Sequence, residues 1–224
     1  SGGTIALAPG APDGTGPTPR CTVPRSTDAA ETGPTSPRVS VVMPVRDAAH
    51  TVAAAVESIL SQTLTDLELV AVDDGSSDTT PRLLARLARR DARIVVERQP
   101  PRGIVAALQR GVARARAALI ARMDADDLAA PERLARQARW LAGRPGLGAV
   151  GCLVHSFGDV RPGPGWQRYE RWLNGRRTHR QIARDLFVES PLAHPSVMLR
   201  RRALAQVGGY RQFDGPEDYD LWLR

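Results

Sequence analysis

Leu69-Val70-Ala71-Val72-Asp73-Asp74-Gly75-Ser76 decides the fold class, and Ala118-Leu119-Ile120-Ala121-Arg122-Met123-Asp124-Ala125-Asp126-Asp127 repeats its form. Short apolar runs that end in carboxylates read as buried parallel strands delivering acidic side chains to the carboxyl edge of an open α/β sheet, where such sheets bind ligands. Carboxylates gathered at one edge repel each other, and a divalent cation relieves the repulsion. A phosphate-bearing ligand is the natural third party.

Outward from these runs the chain alternates. Val39-Ser40-Val41-Val42-Met43-Pro44-Val45 is strand-like, and Val52, Val56, Ile59 and Leu60 recur behind it at helical spacing. After the strand over 67–72, Ser77-Asp78-Thr79-Thr80-Pro81 carries the cap and early proline of a helix running to about Arg90. A strand over 93–97, a helix over 104–115 and a strand over 119–123 follow. Pro131 opens a helix ending near Leu141, and 147–154 reads as a strand. The β-α-β-α-β-α-β rhythm predicts a mostly parallel sheet with helices on both faces. Beyond it, 158–165 is rich in Pro and Gly, 169–188 reads as one amphipathic helical segment, and 196–199 as a late strand. Residues 1–37 are rich in Gly, Pro, Thr and Ser with no hydrophobic period, which predicts a disordered tail ahead of one domain over 38–224.

Composition narrows the chemistry. The 224 residues, 42% hydrophobic, suffice for one domain with a buried core. The formal charge of +7 is carried entirely by Arg, because the chain contains no Lys. That absence excludes a Walker-type phosphate loop, the kinase strand lysine and Schiff-base catalysis, all of which need an ammonium group. Aromatics make up 4% and do not interleave with the arginines, so nucleic acid is not an expected partner. A solvated basic surface explains the charge, and peripheral contact with an anionic membrane is compatible with it. Cys21 and Cys152 form neither a metal spacing nor a disulfide framework. Ile5-Ala6-Leu7-Ala8 is too short for a signal core, and no stretch is apolar for long enough to cross a bilayer. The expected location is the cytoplasm, including the inner face of the membrane.

Each chemistry-bearing residue also has a structural reading. Gly75 permits a tight turn that leaves Asp73 and Asp74 facing the crevice, with Asp73 placed to accept from a base N–H or a ribose hydroxyl, while Asp78 caps the next helix. On an extended backbone Asp124 and Asp126 share one side, close enough to share a nucleotide and its Mg²⁺ or Mn²⁺; Asp127 is the better candidate for a cap before Pro131. Arg102-Gly103 lies between a strand and a helix, where a guanidinium either clasps a base or phosphate or is one more surface arginine. His194-Pro195 is a loop histidine with a hydrogen-bonding or structural role, and Gly208-Gly209-Tyr210 is a helix C-cap. Glu217-Asp218 opens an amphipathic helix, where the macrodipole alone favours acidic residues.

The ordered set Val39 to Asp47, Val72 to Asp78, Met123 to Asp127, Pro131-Glu132-Arg133-Leu134, His194-Pro195-Ser196-Val197 and Glu217 to Arg224 resembles a bacterial family 2 glycosyltransferase of the GT-A fold, over about residue 38 to the end. The resemblance implies a Rossmann-like sheet and transfer of a sugar from a nucleotide-diphosphate donor, usually a UDP-sugar, with inversion and help from Mg²⁺ or Mn²⁺. It implies that Pro44, Val45, Arg46 and Asp47 line the nucleotide pocket with Asp74, Arg102 and Gly103, that Asp73 binds the base, and that Asp124 approaches the ribose. Asp126 would hold the metal on the diphosphate, His194 would contact acceptor or donor sugar, and Asp218 of the Glu217-Asp218 pair would be the catalytic base. Gln109 stands where many relatives have Asn. The implied partners are a nucleotide-sugar donor and a glycan or lipid-linked acceptor. Relatives commonly continue beyond such a final helix, which implies a chain cut within the domain. A haloacid-dehalogenase-type phosphatase also uses Asp-x-Asp, but Leu128 stands where it needs Thr or Val and its Lys is missing. A sugar nucleotidyltransferase lacks its Gly-rich, Lys-bearing loop. A nucleotide-sugar binding module without turnover shares most of these residues and stays open.

Overall fold

The computed structural model describes residues 4–8, 36–158 and 163–224. In chain order the elements are β1 (Thr4–Ala8), β2 (Val39–Val45), α1 (Val52–Leu60), β3 (Leu67–Asp74), α2 (Thr80–Ala88), β4 (Ile94–Gln99), α3 (Ile104–Arg114), β5 (Leu119–Arg122) and β6 (Leu128–Ala129). They continue with α4 (Arg133–Ala142), β7 (Ala149–Val150), β8 (Leu153–Phe157), α5 (Pro164–Asn174), α6 (His179–Asp185), β9 (Met198–Arg200), α7 (Arg201–Gln206) and α8 (Glu217–Leu223). A short 3₁₀ turn spans His194–Ser196.

The main sheet runs β4-β3-β2-β5-β9-β7. Its first four strands are parallel, and β9 is antiparallel to both its neighbours. Because β3 and β4 lie on one side of β2 and β5 on the other, the order reverses between β2 and β5. Ligands of open α/β sheets bind outside the strand carboxyl ends at such a point.

Side chains alternate across the two central strands, so each face has its own core. Val41, Met43, Leu69 and Ala71 pack with Val56 and Ile59 of α1, Leu84 of α2 and Leu134 and Leu141 of α4. Val42, Val70 and Val72 pack with Val105 and Leu108 of α3, Leu204 of α7, Tyr210 and Leu221 of α8. α3 approaches the sheet closely at Gly111, where a β-carbon would sit 2.5 Å from Val42 Cγ1 and 3.3 Å from Val72 Cγ2.

Four expectations are corrected. Within the tail expected to be disordered, Thr4–Ala8 is a strand, parallel to β6 and antiparallel to β8 in a small second sheet; Ile5-Ala6-Leu7-Ala8 is the tail's apolar stretch, and open backbone groups of two short strands accept it. The rest of that expectation, over 9–35, lies outside the described residues. The strand expected over 147–154 is two, because the chain leaves the main sheet after β7 and enters the small one at β8. The helix expected over 169–188 is likewise two: Gly175 closes α5, and Thr178 with Gln181 builds a capping box that starts α6. Lastly, Asp124–Asp127 is a turn rather than extended chain, with Asp127 N donating to Asp124 O at 3.4 Å.

Candidate active site

The carboxyl edge of the sheet is built from loops that fasten each other. Asp47 follows β2 in the left-handed region at φ 47°. Its Oδ1 accepts from Ser77 N at 2.7 Å and Ser77 Oγ at 3.1 Å, while its own N–H donates to Ser76 Oγ at 2.9 Å. The Ser77 N–H holds the Asp47 carboxyl below its ordinary range. Asp74 ties down the next loop: it accepts from Gln99 Nε2 at 2.7 Å, Arg102 N at 2.8 Å and Gly103 N at 2.8 Å. Burial pushes this carboxyl up, but the three N–H donors outweigh it and bring it below the ordinary value. Gly75, at φ 70°, passes so close to Pro101 that a β-carbon would lie 2.6 Å from its Cδ. Asp74 and the backbone at 102–103 are therefore committed to loop geometry, and Arg102 leaves its side chain exposed at the crevice. Arg46 is exposed beside them, within ion-pair reach of Asp47 and Asp74.

Asp73 stands opposite Val45 on one side and Arg98 on the other. Its Oδ1 accepts from Ser76 N at 3.0 Å. Oδ2 is buried without an aligned hydrogen-bond donor, although Arg98 Nε lies 3.1 Å away on a side chain that is 64% exposed. The base-binding candidate thus sits under a displaceable arginine rather than open to the crevice.

At the other side of the switch point Arg122, 4% exposed, extends from the end of β5 and ion-pairs with Asp124. Asp126 reaches solvent in the turn beyond. Desolvation by the surrounding protein and then the Asp124 charge raise its carboxyl, while Arg122 pulls it back down. Just past the turn, Arg133 is fully buried and clamps two segments together, donating from Nη2 to Arg122 O and to Pro195 O at 2.7 Å each. The segment it captures carries His194.

His194 is buried between two partners: Nε2 is 2.8 Å from Tyr210 Oη and Nδ1 is 3.4 Å from Glu217 Oε1. Burial and then Arg122 lower the His194 pKa, so the ring is neutral at pH 7, and burial keeps Tyr210 protonated. The His194 contact, with Arg122 assisting, holds Glu217 below the ordinary carboxylate range against its own desolvation. An ionised Glu217 needs a donor, which assigns Nδ1–H to Glu217 and leaves Nε2 to accept from Tyr210. Asp218, next in α8, lines a cavity of about 210 Å³ with Ser156, Trp166, Tyr169, Glu170 and His194. Trp166 and Tyr169 are in tilted contact and Tyr169 stacks on Trp172. Asp220 belongs elsewhere; it is buried and paired with Arg211 and Arg224.

The structure therefore brings Asp47, Asp73, Asp74, Asp124 and Asp126 to one sheet edge, and Arg133 fastens the segment of Arg122 and Asp124 to that of His194. Asp78, expected as the cap of α2, lies one residue ahead of the N-cap Thr79; it accepts from Thr80 N at 2.9 Å and from Ala49 N at 3.1 Å. Gln109 donates to Tyr210 O at 2.8 Å. Arg122, Arg98, Tyr210 and the aromatic wall were not anticipated. Arg122 did leave a signal, since a charge inside an apolar strand run is unusual unless paired. Among the described residues no group of three or more His, Cys, Asp or Glu side chains is arranged to hold a metal ion, and no helix is long and apolar enough to cross a membrane.

Three kinds of comparison bear on this geometry. The family model described as "Glycosyl transferase family 2" matches residues 40–208. The amylovoran biosynthesis glycosyltransferase AmsE of Erwinia amylovora is 31% identical over 169 residues, covering 75% of this chain and 61% of its own. Among solved structures, the mannosyltransferase PcManGT of Pyrobaculum calidifontis, in complex with GDP-Man and Mn²⁺, superposes with a TM-score of 0.64 at 24% identity over 88% of this chain and 54% of its own. TarS 1-349 of S. aureus, in complex with UDP-GlcNAc, gives 0.64 at 16% identity over 83% and 52%. The chain thus spans between about half and three-fifths of the length of these three proteins, and the structural likenesses show a shared GT-A fold.

Proposed function

Because this chain belongs to glycosyl transferase family 2, we propose that it carries out an inverting transfer of a sugar from a nucleoside-diphosphate sugar to a hydroxyl of a glycan or lipid-linked acceptor. The observation that carries this reading is that buried Arg133 binds Arg122 O and Pro195 O together, which sets the Asp124–Asp126 turn on the donor side next to the His194–Glu217–Asp218 group beside the cavity. The donor diphosphate belongs at the switch point between β2 and β5. A UDP-sugar fits Asp73, whose unmatched buried oxygen suits the imide N–H of uracil once Arg98 swings aside. Cytosine offers an acceptor at that ring position and fits worse.

A hard cation suits the donor side. Mg²⁺ and Mn²⁺ need only one or two protein carboxylates when phosphate oxygens and waters complete their shell, and exposed Asp126, whose neighbour Asp124 is already paired with Arg122, is the carboxylate available. When bound there, such an ion supplies neutralisation of the charge on the departing diphosphate. The rest is the work of this chain's own residues. The acceptor sugar occupies the cavity against Trp166, with its reacting hydroxyl at Asp218. Asp218 takes the proton as the acceptor oxygen bonds to the anomeric carbon, and the bond to the diphosphate breaks with its electrons on the leaving oxygen. Glu217, ionised and held by His194, orients the acceptor rather than competing for the proton.

A positioned carboxylate base contributes about 10²- to 10⁴-fold to rate and little to donor affinity. Asp218→Asn should lose at least two orders of magnitude in turnover of UDP- and GDP-sugars in Mn²⁺ while retaining UDP affinity by calorimetry. Near-normal turnover by this variant, or a product with the donor's anomeric configuration, would overturn the assignment. Wild-type protein that binds a nucleotide sugar yet never releases nucleotide would instead be a binding module.

A further inference from the structure

One surface feature lies outside this chemistry. Phe187 and Val188 are 81% and 74% exposed, the most exposed of the large apolar side chains described. They sit in the turn that continues α6, shown by Val188 N donating to Asp185 O at 2.9 Å. Arg180, Arg184, Phe187 and Val188 recur at three- and four-residue steps along this helix and turn, so they share a face. Exposed Arg177 stands beside the N-cap. Residues 176–189 hold four arginines against the carboxylates of Asp185 and Glu189. Asp185 is buried and bridges Arg176 and Arg184, which anchors the helix without removing its outward positive balance.

We propose that α6 and its continuing turn form a docking surface for an anionic lipid bilayer. Two adjacent apolar side chains at the tip of a basic helix suit insertion at the boundary between headgroups and acyl chains, with arginines meeting lipid phosphates around them. The charge argues for lipid over a second copy of this chain, because two such faces would bring arginines against arginines. Position makes the contact useful. Tyr219 Oη donates to Leu186 O at 2.6 Å, tying the tip to the helix of Glu217 and Asp218, and Ser190 and Leu192 just beyond Val188 line the cavity. A bilayer held here would present a lipid-linked acceptor close to the proposed base.

The test is cosedimentation of the purified chain with extruded vesicles, either phosphatidylcholine alone or phosphatidylcholine with phosphatidylglycerol, without donor or acceptor. Its failure therefore leaves the transferase reading standing. Binding should favour anionic vesicles and weaken as salt rises. Arg177→Gln/Arg180→Gln should reduce partitioning by about fivefold per arginine, and Phe187→Ser/Val188→Ser by roughly tenfold. Both variants change exposed side chains, and an unchanged circular dichroism melt would confirm intact folding. Absence of binding, equal binding to neutral and anionic vesicles, or wild-type partitioning by either variant would overturn the proposal. So would a dimer in sedimentation equilibrium that Phe187→Ser dissolves, since the occupant would then be a second copy.

Discussion

At the residue scale the site depends on charges placed where the chain is otherwise apolar. Arg133 is fully buried and serves two backbone carbonyls, Arg122 O and Pro195 O, with Gln137 and Met123 as further neighbours. Removing it leaves those carbonyls without partners, each costing on the order of 1 to 3 kcal/mol. Arg133→Ala should therefore lower unfolding free energy by about 3 kcal/mol or more in urea titration, and a loss below about 1 kcal/mol would show that the clamp is dispensable. His194 adds a pH dependence with a definite sign. Burial first, then Arg122, depresses its folded pKa, against the opposing pull of Glu217 and Asp218. A group depressed on folding stabilises fully above its unfolded pKa of about 6.5, and that contribution is lost as pH falls toward the folded value. Wild-type stability should decline as pH falls below about 6.5, with a shallower decline in His194→Gln, which keeps a polar side chain between Tyr210 and Glu217. Parallel pH–stability curves would assign the decline to other groups.

At the element scale, contact between α3 and the sheet requires a missing side chain. A β-carbon at Gly111 would enter the van der Waals envelope of Val42 Cγ1 and crowd Val72. Overpacking of this kind costs typically 1 to 3 kcal/mol. Gly111→Val should cost at least that much in chemical denaturation, since β-branching stiffens the side chain as well, and a neutral effect would mean that α3 can lift from the sheet freely. The elements that sequence reading located well are those whose side chains follow a clear period: β2, α1, β3, α2, α3 and α8. It failed where the deciding partner is remote. Nothing local separates one strand over 147–154 from two, because β7 pairs with β9 while β8 pairs with β1. The division of α5 from α6, by contrast, was written locally in Gly175 and in the Thr178–Gln181 capping box.

At the scale of the whole molecule, donor binding should register as global stability, since a ligand of the native state alone at 100 times its dissociation constant adds about 2.7 kcal/mol. For a chain of this size that corresponds to a rise of roughly 5 to 10 °C in melting temperature. UDP with Mn²⁺ should produce it, UDP with EDTA should not, and Asp126→Ala should respond weakly in either; an equal shift in EDTA would remove the metal from the donor site. The amino-acid order alone suffices for the α/β class, the two strands that lead into Asp73-Asp74 and toward Asp124, and the succession of acidic motifs, because hydrophobic period and turn chemistry are local properties. The family resemblance followed from that order, and the match over 40–208 agrees with it. Which carboxylates are already occupied emerges from the folded arrangement. Asp74 is used by the Gln99 side chain and two loop N–H groups, Asp124 by Arg122, Asp220 by Arg211 and Arg224, and Glu217 by His194. Apart from the i,i+4 pairing of Asp220 with Arg224 and the near-neighbour pairing within Arg122 to Asp124, those partners come from other elements. Whether a carboxylate is free to bind or already paired depends on hydrogen bonds and Coulomb energy in three dimensions, which spacing along the chain does not encode.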